Sequence, residues 1–104
     1  MFDFEKLDVY QVIKANNSKI LKFIFAHPTM DLYIKDQWKR ANLSIILNLA
    51  EGTGRMTNSD KKHFLTISRC SVFESVAILE TVKELTLIEE NLFKEFYDSY
   101  EQIS

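Results

Sequence analysis

The sequence predicts an all-α protein, an antiparallel up-down-up-down four-helix bundle in a single domain over residues 1–104. Three observations predict it. Glycine and proline are nearly absent, two and one in 104 residues, which is too few for a loop-rich or β-sandwich design. Apolar residues recur at steps of three and four along most of the chain, the spacing of one helix face. The punctuation that does occur, at His27-Pro28, Gly52-Thr53-Gly54 and Thr86-Leu87-Ile88, leaves four amphipathic segments joined by short loops. Short loops favour antiparallel neighbours.

The first helix is expected over Glu5–Phe25. Val9, Ile13, Ile20 and Ile24, with Leu21 and Phe25, form its apolar stripe, and Lys6, Lys14, Lys19 and Lys22 its wet side. Asn16-Asn17-Ser18 is a weak helix-forming stretch that leaves room for a bend, and His27-Pro28 ends the helix because proline drives its predecessor out of the α region. Thr29 is the expected N-cap of a second helix over Met30–Glu51, stopped by Gly52 and Gly54. Thr57 and Ser59 both suit the cap of a third helix that reaches Leu85, with Asp60 favourable near its positive end. Its apolar line is Phe64, Ile67, Ile78 and Leu85 with Ser71 and Ser75, widened by Leu65, Val72, Val76 and Leu79. The last helix is expected over Glu89–Ile103, with Leu92, Phe93, Phe96, Tyr97, Tyr100 and Ile103 on its apolar side.

Composition narrows the functional classes. Cys70 is the single cysteine, which excludes an intrachain disulfide and a Cys-rich zinc site and fits a reducing cytoplasm. The N-terminal residues lack the basic flank and apolar run of a signal peptide. No apolar run approaches the roughly 20 residues that span a bilayer, so no membrane partner is expected. The net charge of −2 is unevenly placed: residues 32–73 hold seven basic and three acidic side chains, and residues 74–104 hold two basic and eight acidic. The dominant basic field of a dedicated nucleic-acid binder is absent, while a local basic patch around the middle turn remains.

Gln37, Arg40, Ser44, Asn48 and Glu51 form a polar line through the most hydrophobic stretch of the chain. Half-buried polar groups need partners. One reading is structural: Arg40 pairs with Glu51 or with Glu74 on the next helix, while Ser44, Asn48 and Ser71 complete hydrogen bonds between helices. The other makes Arg40, Asn48, Glu51 and Glu74 a polar pocket for a small ligand or for catalysis, although no His or Cys joins the carboxylates as base or nucleophile. Around this line Leu43, Ile45, Ile46, Leu47, Leu49 and Ala50 cover much of the helix circumference. A helix apolar on several sides must be covered on several sides, so a homo-oligomer is expected, with the second or third helix at the interface.

Other chemistry-bearing residues point to bland roles. His27 reads as a turn residue, and Asp60 with His63 as a solvated helix start. The Glu-x-x-His pairs of di-metal bundles are missing, so neither a metal nor a cofactor is expected. Cys70, among Ser68, Ser71 and Val72, reads as a small packed residue. Gly52-Thr53-Gly54-Arg55 with Lys61 and Lys62 combines flexible backbone, a helix N-terminus and cations, a place where anions can bind. It lacks the P-loop spacing.

These residues carry a resemblance. Gln37, Arg40-Ala41, Ser44-Ile45, Asn48, Ala50-Glu51-Gly52 and Arg55, then Phe64-Leu65, Ser71 and Glu74, with Leu7-Asp8-Val9-Tyr10 and Pro28, resemble the four-helix-bundle proteins encoded in intervening sequences of bacterial 23S ribosomal RNA genes. The likeness covers roughly residues 4–90. It implies an up-down bundle that assembles as a homopentamer. A related branch, the accessory variability determinant of diversity-generating retroelements, is a basic pentamer that binds nucleic acid; in this chain the local basic patch offers Arg55, Lys61 and Lys62, with Lys39 or Arg69 beside them, as the candidate contacts to RNA or DNA. Two departures stand out. Ser68-Arg69-Cys70-Ser71 replaces the Ala-x-Gly-Ser of many relatives, and this chain is acidic where the retroelement branch is basic. The expectation is a non-enzymatic, homo-oligomeric adaptor or scaffold.

Overall fold

The computed structural model describes all of residues 1–104. A short 3-10 turn, Asp3–Lys6, leads into α1 (Asp8–Ala26), α2 (Leu32–Thr53), α3 (Asn58–Glu84) and α4 (Glu90–Ile103), with no strand. Paired residues run in opposite numerical order between neighbours. Asn17 meets Asn42 and Phe23 meets Trp38; Ser44 meets Ser71 and Gly52 lies beside Phe64; Lys19 meets Glu95 and His27 meets Leu87. The helices are therefore antiparallel, in a bundle 44 × 21 × 20 Å. Around it each helix packs on the two flanking it in the order α1, α2, α3, α4, and α2 and α3 share by far the most extensive contact.

The core is built from one stripe of each helix: Ile13, Ile20 and Ile24 of α1, Trp38, Ile45 and Leu49 of α2, Val72, Leu79 and Val82 of α3, and Phe96 and Tyr100 of α4. Trp38, Phe96 and Phe23 stand edge to face around the middle of it, the arrangement that aromatic quadrupoles favour. Burial of such large side chains is the main stabilising term.

Several local expectations differ from the structure. The chain enters through the 3-10 turn, and α1 starts at Asp8 rather than Glu5. Helix α1 runs unbroken through Asn16-Asn17-Ser18, because the Asn17 side chain bonds across to α2 and tertiary packing outweighs local propensity. Val9 and Phe25 are exposed, and Phe23 takes the inward position instead. The N-cap of α2 is Asp31, whose carboxylate accepts from the Tyr33 amide at 2.9 Å, not Thr29. The Thr29 and Met30 amides donate instead to His27 Nδ1 at 3.2 and 3.1 Å, while His27 Nε2 lies 2.8 Å from the Leu87 carbonyl. Two N–H donors at Nδ1 place the ring proton on Nε2, so His27 ties the α1–α2 turn to the α3–α4 turn. Gly52 does not stop α2. It is buried inside the helix, where a Cβ would lie 3.1 Å from Phe64 Cβ, so its missing side chain admits the close approach of α3. Thr57 is the cap of α3, accepting from the Asp60 amide at 3.1 Å.

The α3–α4 break has a definite geometry. Leu87 N donates to Val82 O at 3.0 Å and Thr86 N to Lys83 O at 2.9 Å, the paired bonds of a Schellman motif. Thr86 sits in the left-handed position of that motif at φ 56°, which a β-branched residue adopts only at a steric cost. Thr86→Gly is expected to stabilise the fold by about 1 kcal/mol. Urea unfolding of both proteins at one fixed concentration checks it, and an unchanged or lower midpoint would contradict the reading.

Candidate functional site

Helix α2 carries two polar lines, and the structure gives them different fates. The inner one was not expected from the sequence. Trp38 Nε1 donates to Tyr100 Oη at 3.0 Å, Tyr100 donates to Asn42 Oδ1 at 2.6 Å, and Asn42 Nδ2 donates to the Asn17 carbonyl at 3.3 Å. Asn17 Nδ2 returns the bond to the Asn42 carbonyl at 2.7 Å. All four residues are at most 3 % exposed. One continuous chain of hydrogen bonds thus joins α1, α2 and α4 through the centre of the core, and each donor it satisfies would be costly to leave unpaired. A signal was present in the sequence: Asn17 keeps the helical spacing of Ile13, Ile20 and Ile24, and Asn42 that of Trp38, Ile45 and Leu49. An Asn in phase with a core stripe is a buried Asn.

The outer line is the expected one. Ser44, Asn48 and Ser71 come together where α2 meets α3: Asn48 Nδ2 donates to Ser44 Oγ at 2.9 Å and to the Ser44 carbonyl at 2.8 Å, and the Ser44 and Ser71 hydroxyls are 2.7 Å apart. Ser68 of α3 also donates to the Ile45 carbonyl at 2.6 Å. The expected pairing of Arg40 with Glu51 or Glu74 is not made within the chain. Glu51 lies one turn before Arg55 and pairs with it, whereas Arg40 and Glu74 are exposed and have no ion pair or hydrogen bond. Gln37 is half-buried beside Glu74 in a groove between α2 and α3. Gln37, Ser44, Asn48, Ser71 and Glu74 line the α2–α3 seam as a strip along one open face, with Arg40 exposed beside them, whereas Glu51 shares a cavity with Phe2, Asp3 and Phe4 at the N-terminal 3-10 turn.

The same face is apolar beyond its polar line. Tyr33 is 71 % exposed, Leu47 62 % and Leu43 42 %, and a groove of about 260 Å³ between the helices is lined by Tyr33, Ile34, Ala77 and Ile78 with Gln37 and Glu74. Cys70 lies on the α3 side of this face, exposed rather than packed as the sequence suggested.

The basic residues are spread rather than focused. Lys39 pairs with Asp36 at 3.1 Å and lies 5.5 Å from the Phe25 ring. Arg55 pairs with Glu51 and stacks 4.5 Å over Phe64, and Arg69 lies 5.6 Å over Phe73. Lys61 and Lys62 are exposed without an ionic partner. The Gly52–Arg55 turn opens onto a cavity of about 410 Å³ that also presents Asp3 and Glu51, so its field is mixed. With the first cap bond of α3 supplied by Thr57 as well, the turn is poorly suited to anions. His63 and Asp60 are exposed, and no group of three or more metal-ligating side chains gathers anywhere.

A four-helix bundle of this size, tied by buried amides and presenting one semi-apolar α2–α3 face, defines the class as a small all-α helical-bundle protein. The chain belongs to the 23S rRNA-intervening sequence protein family, whose family model matches residues 5–104. No curated protein matches it in a sequence comparison. No helix is long and apolar enough to cross a membrane.

Burial pushes the Tyr100 phenol far above its ordinary value of 10.0, outweighing the Trp38 and Ser75 contacts that favour the anion. Tyr100→Phe leaves a buried indole N–H and a buried amide oxygen unpaired and is expected to cost about 2–3 kcal/mol. Above pH 10 the unfolded phenol ionises while the folded one stays neutral, so the stability linked to Tyr100 is intact below pH 10 and declines above it. The difference between wild type and Tyr100→Phe in urea unfolding should therefore shrink from pH 10 upward. A constant difference would show that the phenol ionises equally in both states.

Proposed function

We propose that this chain is a non-enzymatic, homo-oligomeric helical bundle, pentameric by family resemblance, that works as an adaptor or scaffold in the cytoplasm. The observation that carries the reading is the open α2–α3 face. Leu43, Leu47 and Tyr33 stand out from the helix pair that forms the centre of the structure, and exposed apolar residues gathered on one face mark an interaction surface. The polar strip beside them supports specificity, because partly buried hydrogen-bonding groups penalise wrong pairings. Catalysis at Arg40, Asn48, Glu51 and Glu74 has less support. Asn48 is occupied by Ser44 and Glu51 by Arg55, and no general base stands within reach of a nucleophile.

RNA or DNA binding is a second reading on one observation, the unpaired Lys61 and Lys62 in the first two turns of α3. Lys39 and Arg55 already have carboxylate partners, so phosphate would have to displace them.

Light scattering on the purified protein is expected to give a multiple of 12.2 kDa, fivefold by the family resemblance; a monomer at all accessible concentrations would overturn the scaffold reading. For the second reading, retention on immobilised RNA should weaken with salt and fall further when Arg55, Lys61 and Lys62 are all changed to Gln, since each lost phosphate contact reduces the salt slope by about one. Equal retention of wild type and triple variant would remove these residues from any nucleic-acid role.

A further inference from the structure

Arg40 and Glu74 are opposite charges on one open face, and neither has a partner in its own chain. They also stand at the same height in the bundle. The Ser44–Ser71 hydrogen bond aligns α2 with α3. Arg40 lies one turn before Ser44 and Glu74 about one turn after Ser71, and because the helices are antiparallel both steps lead in the same direction. Their settings around the helices differ. Helical register puts Arg40 with Leu43 and Leu47 on the outer ridge of α2, whereas Glu74 lines the groove of about 260 Å³ whose walls include Tyr33, Ile34, Ala77 and Ile78. The face therefore offers an apolar ridge headed by a cation beside an apolar groove headed by a carboxylate.

Resting on the oligomer reading above, we propose that the occupant of this groove is the α2 ridge of a second copy: Leu43 and Leu47 of one subunit pack into the α2–α3 groove of the next, and Arg40 meets Glu74 of the partner subunit. Ridge and groove are different surfaces, so each copy keeps one of each free after a single junction. The contact is heterologous and propagates until a ring closes. A rotation axis parallel to the helices preserves height, which brings Arg40 and the partner's Glu74 level at every junction. The pair is desolvated there by the surrounding leucines and aromatic residue, where a complementary charge fixes register and a like charge is strongly disfavoured.

Charge reversal tests the junction. Arg40→Glu and Glu74→Arg, each alone, are expected to move the assembly midpoint to a protein concentration at least about a hundredfold higher, with helical content by circular dichroism unchanged. An equimolar mixture of the two should recover assembly in part, read by native mass spectrometry as mixed oligomers, since unlike neighbours bring opposite charges together while a five-membered ring keeps at least one like-charged junction. Wild-type assembly by both single variants overturns the proposal and leaves the oligomer reading standing. Rescue by the double variant on one chain, with no mixed oligomers at all from the two single variants, places the pair within a chain and also overturns it. A monomeric wild type removes the oligomer reading itself. Should the reversals fail to fold, oxidation in a Cys70→Ser background is independent: Arg40→Cys mixed with Glu74→Cys is expected to form covalent heterodimers, and none forming overturns the contact.

Discussion

The constraint on which the rest of the structure depends is that Asn42, at the centre of α2, is fully buried and must be hydrogen-bonded. Its amide has one acceptor and one donor facing the core, and they are met by Tyr100 of α4 and the Asn17 carbonyl of α1. A shift of any of these helices by one turn would strand several polar atoms in an apolar core, each at a cost of about 1–3 kcal/mol. Apolar stripes alone tolerate such sliding, because one isoleucine replaces another with little loss. The amide and phenol do not, so they select one register from the many that hydrophobic burial would accept.

On the far side of α2 the same type of chemistry has a different outcome. Ser44, Asn48 and Ser71 bring α2 and α3 close while hydrogen-bonding to one another, and Gly52 continues that close approach toward the turn. The longer polar residues of the line, Gln37, Arg40 and Glu74, cannot turn inward at so tight a seam and remain at the open face. Helix α2 is thereby wetted on one line and sealed on the other, which is how a single helix both organises its own bundle and presents a surface outward.

The fold was largely legible in the sequence, and the reasons are local. Pro28 follows the end of α1 through backbone sterics, Thr57 caps α3 with its own hydroxyl, and the periodic isoleucines of α1 mark a buried stripe without reference to any neighbour. The candidate face was legible in part. That Gln37, Arg40, Ser44, Asn48, Ser71 and Glu74 lie near one another follows from helical spacing once α2 and α3 are adjacent, whereas Glu51 lies with the N-terminal residues at the end of α2. Which of them bond to one another did not follow, because an Arg can reach several carboxylates and the choice of Arg55 for Glu51 depends on how α2 continues through Gly52 to the turn.

By itself the sequence determined the number of helices, the places where they break and the apolar side of each, since these depend on propensity, capping and periodicity within a dozen residues. The tertiary structure alone decided that Asn17 and Asn42 are core residues, that Phe23 rather than Phe25 turns inward, and that Arg40 and Glu74 are left without partners. Those outcomes depend on what stands opposite a residue on another helix. Distances across a bundle are set by packing, and one strand of sequence carries no record of them.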